Sequence, residues 1–345
     1  MRYLTLVTAL LFTAVLSPRV LAEDETPVWA YVPDTISSAW GAFLLEKGQG
    51  RDRQVPVPDD AEGWKAVQRA NDQVKESTAD KKADSFGVTY KEISIAGIPV
   101  VEVIPANLKS KERIAVYTHG GAYVLNSAKA VIESAMFFAA ETGLRVMAVD
   151  YTLAPHSRWQ DTTDDVIGIF KALAEQGFEP GDIVLYGDSA GGGLAAGVTL
   201  KMRDLGMDMP AALVLWSPWA DISETGDTYA TLRDAEPFFT YKNVLGPAAL
   251  AYADAKDHKH PYVSPVYGDF KRGFPPTLIQ GGTKEIFLSN FIRLYQALDQ
   301  AGQTVKLDIY EGMPHVFVPT LPQSAESQAA ISKVRDWVSE HLLED

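Results

Sequence analysis

The sequence predicts an α/β fold: an eight-stranded, mostly parallel sheet with helices on both faces and a helical cap over one end. Three observations predict it. From Val88 onward, short β-rich runs alternate with helical patterns, as they do where strands and crossover helices build one parallel sheet. The first two runs are joined by a short Gly-containing turn at Ala96-Gly97, which makes them an antiparallel hairpin at the sheet edge. Two stretches, 23–87 and 218–275, stand outside the alternation, and structureless loops of such length are uncommon in compact domains.

Taken in order, the first 22 residues read as an export signal. Arg2 supplies a basic start, Leu4 to Leu16 is apolar apart from threonines, Pro18 breaks the run, and Val20-Leu21-Ala22 offers a cleavage site. The apolar core of 13 residues falls short of the ~20 a spanning helix needs. The expectation is an exported protein, periplasmic or extracellular, with no stable membrane anchor once the signal is cleaved after Ala22. Residues 23–87 carry polar helical sequence with scattered aromatics, Trp29, Trp40, Phe43 and Trp64, and read as an N-terminal cap segment.

The strands follow at Val88–Ser94, Pro99–Ile104, Arg113–Thr118, Leu144–Tyr151, Asp182–Tyr186, Ala212–Ser217, Thr277–Gln280 and Lys306–Tyr310. Val166, Ile169, Phe170 and Leu173 recur at helical spacing, as do Phe291, Leu294, Tyr295 and Leu298; Ile331, Val334, Val338 and Leu342 mark a last helix. Residues 88–345 thus read as the α/β body, interrupted by an insertion within about 218–260.

Composition narrows the chemistry. Apolar residues make up 46% and charged residues 22%, as in globular proteins with a sizeable core. A net charge of −14 without a Lys/Arg cluster argues against nucleic acid and favours a neutral small-molecule guest. The absence of cysteine removes disulfides, thiol catalysis, thiolate metal sites and lipoprotein-type acylation.

Gly187-Asp188-Ser189-Ala190-Gly191 follows one predicted strand and opens a helix. In that context Gly-x-Ser-x-Gly places a serine hydroxyl on a strained turn above the sheet, with a helix N-terminus aimed at a developing oxyanion. A Gly-rich phosphate loop is the competing reading, but no P-loop lysine and no dinucleotide spacing follow. A serine needs a base. Of six histidines, His315 lies in the loop after the last strand, where the order Ser…acid…His puts it. His258 and His260, two apart, are poorly spaced for a metal. His119-Gly120-Gly121-Ala122-Tyr123 follows the third strand, so the N–H groups of Gly120 and Gly121, with that of Ala190, are candidate oxyanion donors.

With these motifs the chain resembles the hormone-sensitive-lipase-like family of bacterial α/β-hydrolase esterases. His119-Gly120-Gly121-Ala122 resembles that family's His-Gly-Gly-Gly, and Gly187-Asp188-Ser189-Ala190-Gly191-Gly192 matches its nucleophile run. Asp150-Tyr151-Thr152-Leu153-Ala154-Pro155 resembles Asp-Tyr-Arg-Leu-Ala-Pro, and Ser217-Pro218-Trp219-Ala220-Asp221 matches Ser-Pro-Trp-x-Asp. Thr152 and His156 replace the usual arginine and glutamate. The resemblance covers residues 60–340 and implies ester hydrolysis through an acyl-enzyme, on short- to medium-chain esters or lactones, without metal or organic cofactor. It allows a monomer or a homodimer. The family's triad aspartate after the seventh strand is replaced by Glu285, which is chemically acceptable; Asp221 is the rival, and Glu285 could instead be a solvated partner of Lys284. Tyr123, Trp216, Trp219 and Phe317 are candidate pocket residues. A peptidase and a non-catalytic binding protein are the remaining readings.

Overall fold

The computed structural model describes residues 27–48 and 61–343; the predicted export signal lies outside them. Its strands are β1 (Val88–Ile95), β2 (Ile98–Pro105), β3 (Ile114–Thr118), β4 (Arg145–Val149), β5 (Ile183–Asp188), β6 (Ala212–Trp216), β7 (Thr277–Gly282) and β8 (Val305–Tyr310). They form one sheet in the order β1-β2-β4-β3-β5-β6-β7-β8. The hairpin is antiparallel, pairing Ile95 with Ile98, and β2 runs antiparallel to β4. Every other neighbouring pair is parallel. The predicted strands therefore occur in place, with ends shifted by one or two residues.

The helices are α1 (Ser38–Gly48), α2 (Ala61–Glu76), α3 (Ala79–Phe86), α4 (Ile132–Thr142), α5 (Trp159–Glu175), α6 (Ala190–Asp204), α7 (Thr228–Thr231), α8 (Gly246–Tyr252), α9 (Leu288–Gln300), α10 (Phe317–Thr320) and α11 (Ala325–Val338). Side-chain alternation along buried strands divides the core into two layers. Ile114 and Val116 of β3, with Leu213 and Leu215 of β6, pack beneath α5, α6 and α9. Ala115, Tyr117, Ala212, Val214 and Trp216 face α4 and α11 on the opposite side.

Of the segments outside the alternation, the described part of the N-terminal one is mostly helical, and the insertion mixes short helices with loops. Trp40 of α1 is buried and donates its indole N–H to Ser324 Oγ at 2.9 Å, at the start of α11. Gln68 of α2 donates to the Val124 and Ala154 carbonyls at 2.9 and 3.3 Å, next to the loop after β3. The third helix, α3, packs on α4 and β1. The insertion after β6 holds α7, a π-helical turn at Tyr241–Leu245 and α8. Among the described residues no helix is long and apolar enough to cross a membrane.

Candidate active site

Ser189 sits between the end of β5 and the first turn of α6 with φ 56° and ψ −124°. A non-glycine residue at positive φ stores strain, which the surrounding structure must overcome. Here the flanking glycines allow it. A Cβ on Gly191 would fall on the Thr118 carbonyl oxygen, and one on Gly187 on the Gly191 carbonyl oxygen. The Ser189 N–H donates to Trp216 O at 2.9 Å, and its carbonyl accepts from Trp219 N at 2.7 Å. The turn is thereby fixed on both sides.

His315 comes from the loop after β8, and its Nε2 lies 2.9 Å from Ser189 Oγ. Its Nδ1 lies 2.8 Å from Glu285 Oε2. A carboxylate only accepts, so Nδ1 carries the proton there and Nε2 is left to accept from the serine. Phe239 and Phe287 meet the imidazole edge-on, at centroid distances of 5.0 and 5.1 Å. Glu285 is fully buried. Its second oxygen accepts from Ser217 Oγ at 2.8 Å and from Gly282 N at 2.7 Å. Ser217 in turn accepts from Val316 N at 2.9 Å. A buried carboxylate requires such partners.

The alternatives for these carboxylates are occupied otherwise. Asp221 accepts from Arg293 at 2.7 Å and from Tyr267 at 2.9 Å, and neither contact involves His315. Lys284 turns away from Glu285 and donates to the Trp29 carbonyl at 3.1 Å. Burial lowers the pKa of its ammonium.

The loop after β3 brings Gly120 and Gly121 against Ser189. A Cβ on Gly120 would stand 3.0 Å from the Ser189 Cβ. Among the described residues, the N–H groups of Gly121 and Ala190 have no protein acceptor, whereas the Gly120 N–H lies against the Asp188 carboxylate. Ala122 and Tyr123 both adopt positive φ, 54° and 63°, so alanine stands where a third glycine would be unstrained. Asn126 donates to Gly120 O at 2.9 Å and holds the loop from behind. His119 is buried and stacks on Tyr151 at 4.2 Å, and burial lowers its pKa. The Asp188 carboxyl is pushed up by burial, while the Tyr117 hydroxyl that bonds it pulls the other way.

Ser189 and His315 open into a chamber of about 230 Å³, walled by Leu125, Phe239, Val244, Leu245 and Val316. The four predicted pocket residues do not line it. Tyr123 is buried and stacks on Tyr252 at 3.6 Å. Trp216 belongs to the α4/α11 layer and donates to Gln280 at 3.0 Å. Trp219 donates to Tyr229 at 3.2 Å, and Phe317 packs on Tyr310. Each is core, because the strand ends and the turn after β3 direct these rings inward. The sequence reading missed Ser217, Asn126, Phe239, Val244 and Leu245. No local pattern marks them, although the position of Ser217 directly after β6 puts it at the same sheet edge as Ser189. His156, where a glutamate was expected, contacts Gln68 Oε1 at 3.2 Å, and the Thr152 N–H donates to Asp165 at 2.8 Å.

Known proteins share this fold. A family model described as alpha/beta hydrolase fold matches residues 115–319. An acetyl-hydrolase of Streptomyces hygroscopicus is 36% identical over 214 residues, 61% of this chain and 71% of that one. The crystal structure of an esterase, E25, superposes with a TM-score of 0.82 at 30% identity, covering 93% of this chain and 98% of the other. That of an esterase from the bacterial hormone-sensitive lipase family superposes with a TM-score of 0.79 at 26% identity, covering 89% and 99%. By sequence and by fold, the chain belongs to the α/β hydrolase family, among bacterial ester hydrolases of the hormone-sensitive-lipase type.

Proposed function

We propose that the protein is a serine carboxylesterase acting on short- to medium-chain acyl esters through Ser189, His315 and Glu285. The observation that carries this is the continuous line Ser189 Oγ–His315–Glu285, with links of 2.9 and 2.8 Å. Ser189 Oγ attacks the ester carbonyl as His315 Nε2 takes its proton. The oxyanion is received by the N–H groups of Gly121 and Ala190, with Gly120 beside them. Collapse breaks the C–O bond, and the imidazolium protonates the departing alcohol. Water, deprotonated by the same nitrogen, then attacks the acyl-serine and releases the acid. Glu285 stays ionised, holding the Nδ1–H tautomer and stabilising the imidazolium.

The acyl-length reading rests on the apolar chamber, about 230 Å³ in volume and closed by Phe239, Val244 and Leu245 of the insertion. We read the described parts of residues 23–87 and the insertion within 218–260 as its cap. The test is hydrolysis of p-nitrophenyl acetate, butyrate, octanoate and palmitate by the mature protein and its Ser189→Ala variant. Rates that peak at acetate or butyrate and vanish in the variant are expected. Serine-dependent turnover of lactones with none of these esters would transfer the same machinery to ring opening. Serine-independent turnover would end the proposal.

A further inference from the structure

Two chambers adjoin at Asp188 and Val316, the chain neighbours of Ser189 and His315. Beside the apolar one lies a second, of about 320 Å³, and Asp188 and Val316 line both. Its wall also includes Lys75, Lys82, Glu133, Ser134 and Thr320. Where the first chamber is walled mainly by hydrocarbon, this one adds charged and hydroxyl side chains to an apolar lining of Ala130, Val131, Val316 and Pro319.

Most of that charge is already matched. Lys82 Nζ lies 2.7 Å from Glu133 Oε2. The Asp188 carboxylate is held by the Tyr117 hydroxyl and the Gly120 N–H. Lys75 differs. Its ammonium reaches the neutral Asn126 Oδ1 at 2.5 Å, and among the described residues no carboxylate oxygen lies within 4.0 Å of it. Asp72, one turn earlier on α2, and Asp188 across the chamber act on Lys75 through their fields only, and the Asp72 oxygen is bonded to Asn71 at 2.9 Å. Lys75 is an exposed residue whose ammonium end is partly buried against Asn126, and that partial burial lowers its pKa. A half-hydrated ammonium with a neutral partner gains from an anion, since charge-assisted hydrogen bonds are about twice as strong as neutral ones.

Its position relative to the chemistry is set by hydrogen bonds. Lys75 bonds Asn126, Asn126 bonds Gly120 O, and Gly120 abuts Ser189. A ligand group against Lys75 is thus within one substrate's length of the reacting carbonyl.

We propose that the second chamber is a carboxylate subsite, so that the substrates include esters whose far end is ionised and sits against the Lys75 ammonium. Ser134 and Thr320 line the same chamber. The inference rests on the Ser189 esterase reading and adds the charge of the substrate, which amends the neutral guest expected from net charge. A chain of net charge −14 does not steer an anion inward. The preference therefore arises at contact and is expressed mainly in KM.

Two matched probe pairs test it. 4-Acetoxybenzoate against 4-acetoxybenzamide places the charge on the leaving side, and monoethyl adipate against ethyl adipamate places it on the acyl side. With each rate divided by its uncatalysed rate, the wild-type protein should favour the charged member of one pair about tenfold in kcat/KM. Lys75→Met should erase that ratio and Lys75→Arg should keep it, whatever either change does to the common rate through Asn126. A wild-type ratio near one in both pairs, a preference for the amides, or a ratio unchanged in Lys75→Met overturns the subsite. Continued hydrolysis of the neutral members would show the Ser189 chemistry intact. Failure of the esterase reading would instead silence both members of each pair.

Discussion

Ser217 donates its hydroxyl to Glu285 Oε1 at 2.8 Å, on the carboxylate oxygen opposite the one that faces His315. The same Ser217 oxygen accepts from the N–H of Val316, the residue after the histidine. One hydroxyl therefore fixes both the acid and the loop that carries the base. Ser217→Ala leaves Glu285 with Gly282 N as its remaining donor on that side, and leaves the Val316 N–H without this acceptor. The expected outcome is a fall in kcat of about tenfold or more with a smaller change in KM, measured with p-nitrophenyl butyrate.

Glu285 and Asp221 should separate cleanly on substitution. Glu285→Gln keeps the size of the side chain but offers His315 the wrong hydrogen-bonding partner, and kcat should drop by up to about 10⁴. Asp221→Asn should leave kcat within a few-fold of wild type. It should lower stability by about 2 kcal/mol, because Arg293 loses a fully buried partner while remaining itself partly hydrated. Paired kinetics and urea unfolding on both variants check this. Loss of kcat in Asp221→Asn would reverse the assignment.

Much of this was legible in the sequence, and the exceptions have a physical pattern. The strands announce themselves because each β-rich run is a local property of five to eight residues. Glu285 was reached through the family resemblance, which puts an acid after β7, and the sequence left Asp221 beside it as a rival. Ser217 could not, because its meaning lies in a contact 68 residues away. The aromatic pocket candidates failed for a readable reason. Trp216 lies two residues beyond Val214 and four beyond Ala212 on β6, so period-two alternation sends all three to one layer. The true walls, Phe239, Val244 and Leu245, sit in an insertion without a repeating pattern.

Phe239 closes the chamber and touches His315 edge-on at 5.0 Å. Phe239→Ala should open space for longer acyl chains. The ratio of octanoate to acetate hydrolysis should rise about tenfold, given what a methylene is worth in an apolar pocket. An unchanged ratio would move the acyl group to another wall.

His119 gives a pH prediction of definite sign. Burial lowers its folded-state pKa below the unfolded value of ~6.5, so the unfolded chain binds this proton more readily. Its contribution to stability is then present above pH ~6.5 and is lost as pH falls below it. Unfolding free energies of the wild-type protein and His119→Asn, taken between pH 7.5 and 5, should converge toward the acid end. A difference independent of pH would mean that His119 binds its proton equally in both states.

The helix behind the nucleophile carries a further consequence. From Ala190 to Leu200, α6 has no solvent-facing side, and Cβ atoms on Gly193 and Gly197 would strike the Trp219 and Tyr262 carbonyls. Such a segment has almost no room to vary, whatever ester the protein meets. The Ala190 amide is set in place before any substrate arrives, at no cost in reorganisation during the reaction. Selectivity must then be written elsewhere, on α2 and the insertion after β6, whose side chains face the two chambers from outside the sheet. The molecule is divided into an inflexible chemical engine and an editable rim. Libraries aimed at new substrates should recover nearly all their active members from the rim, and almost none from α6.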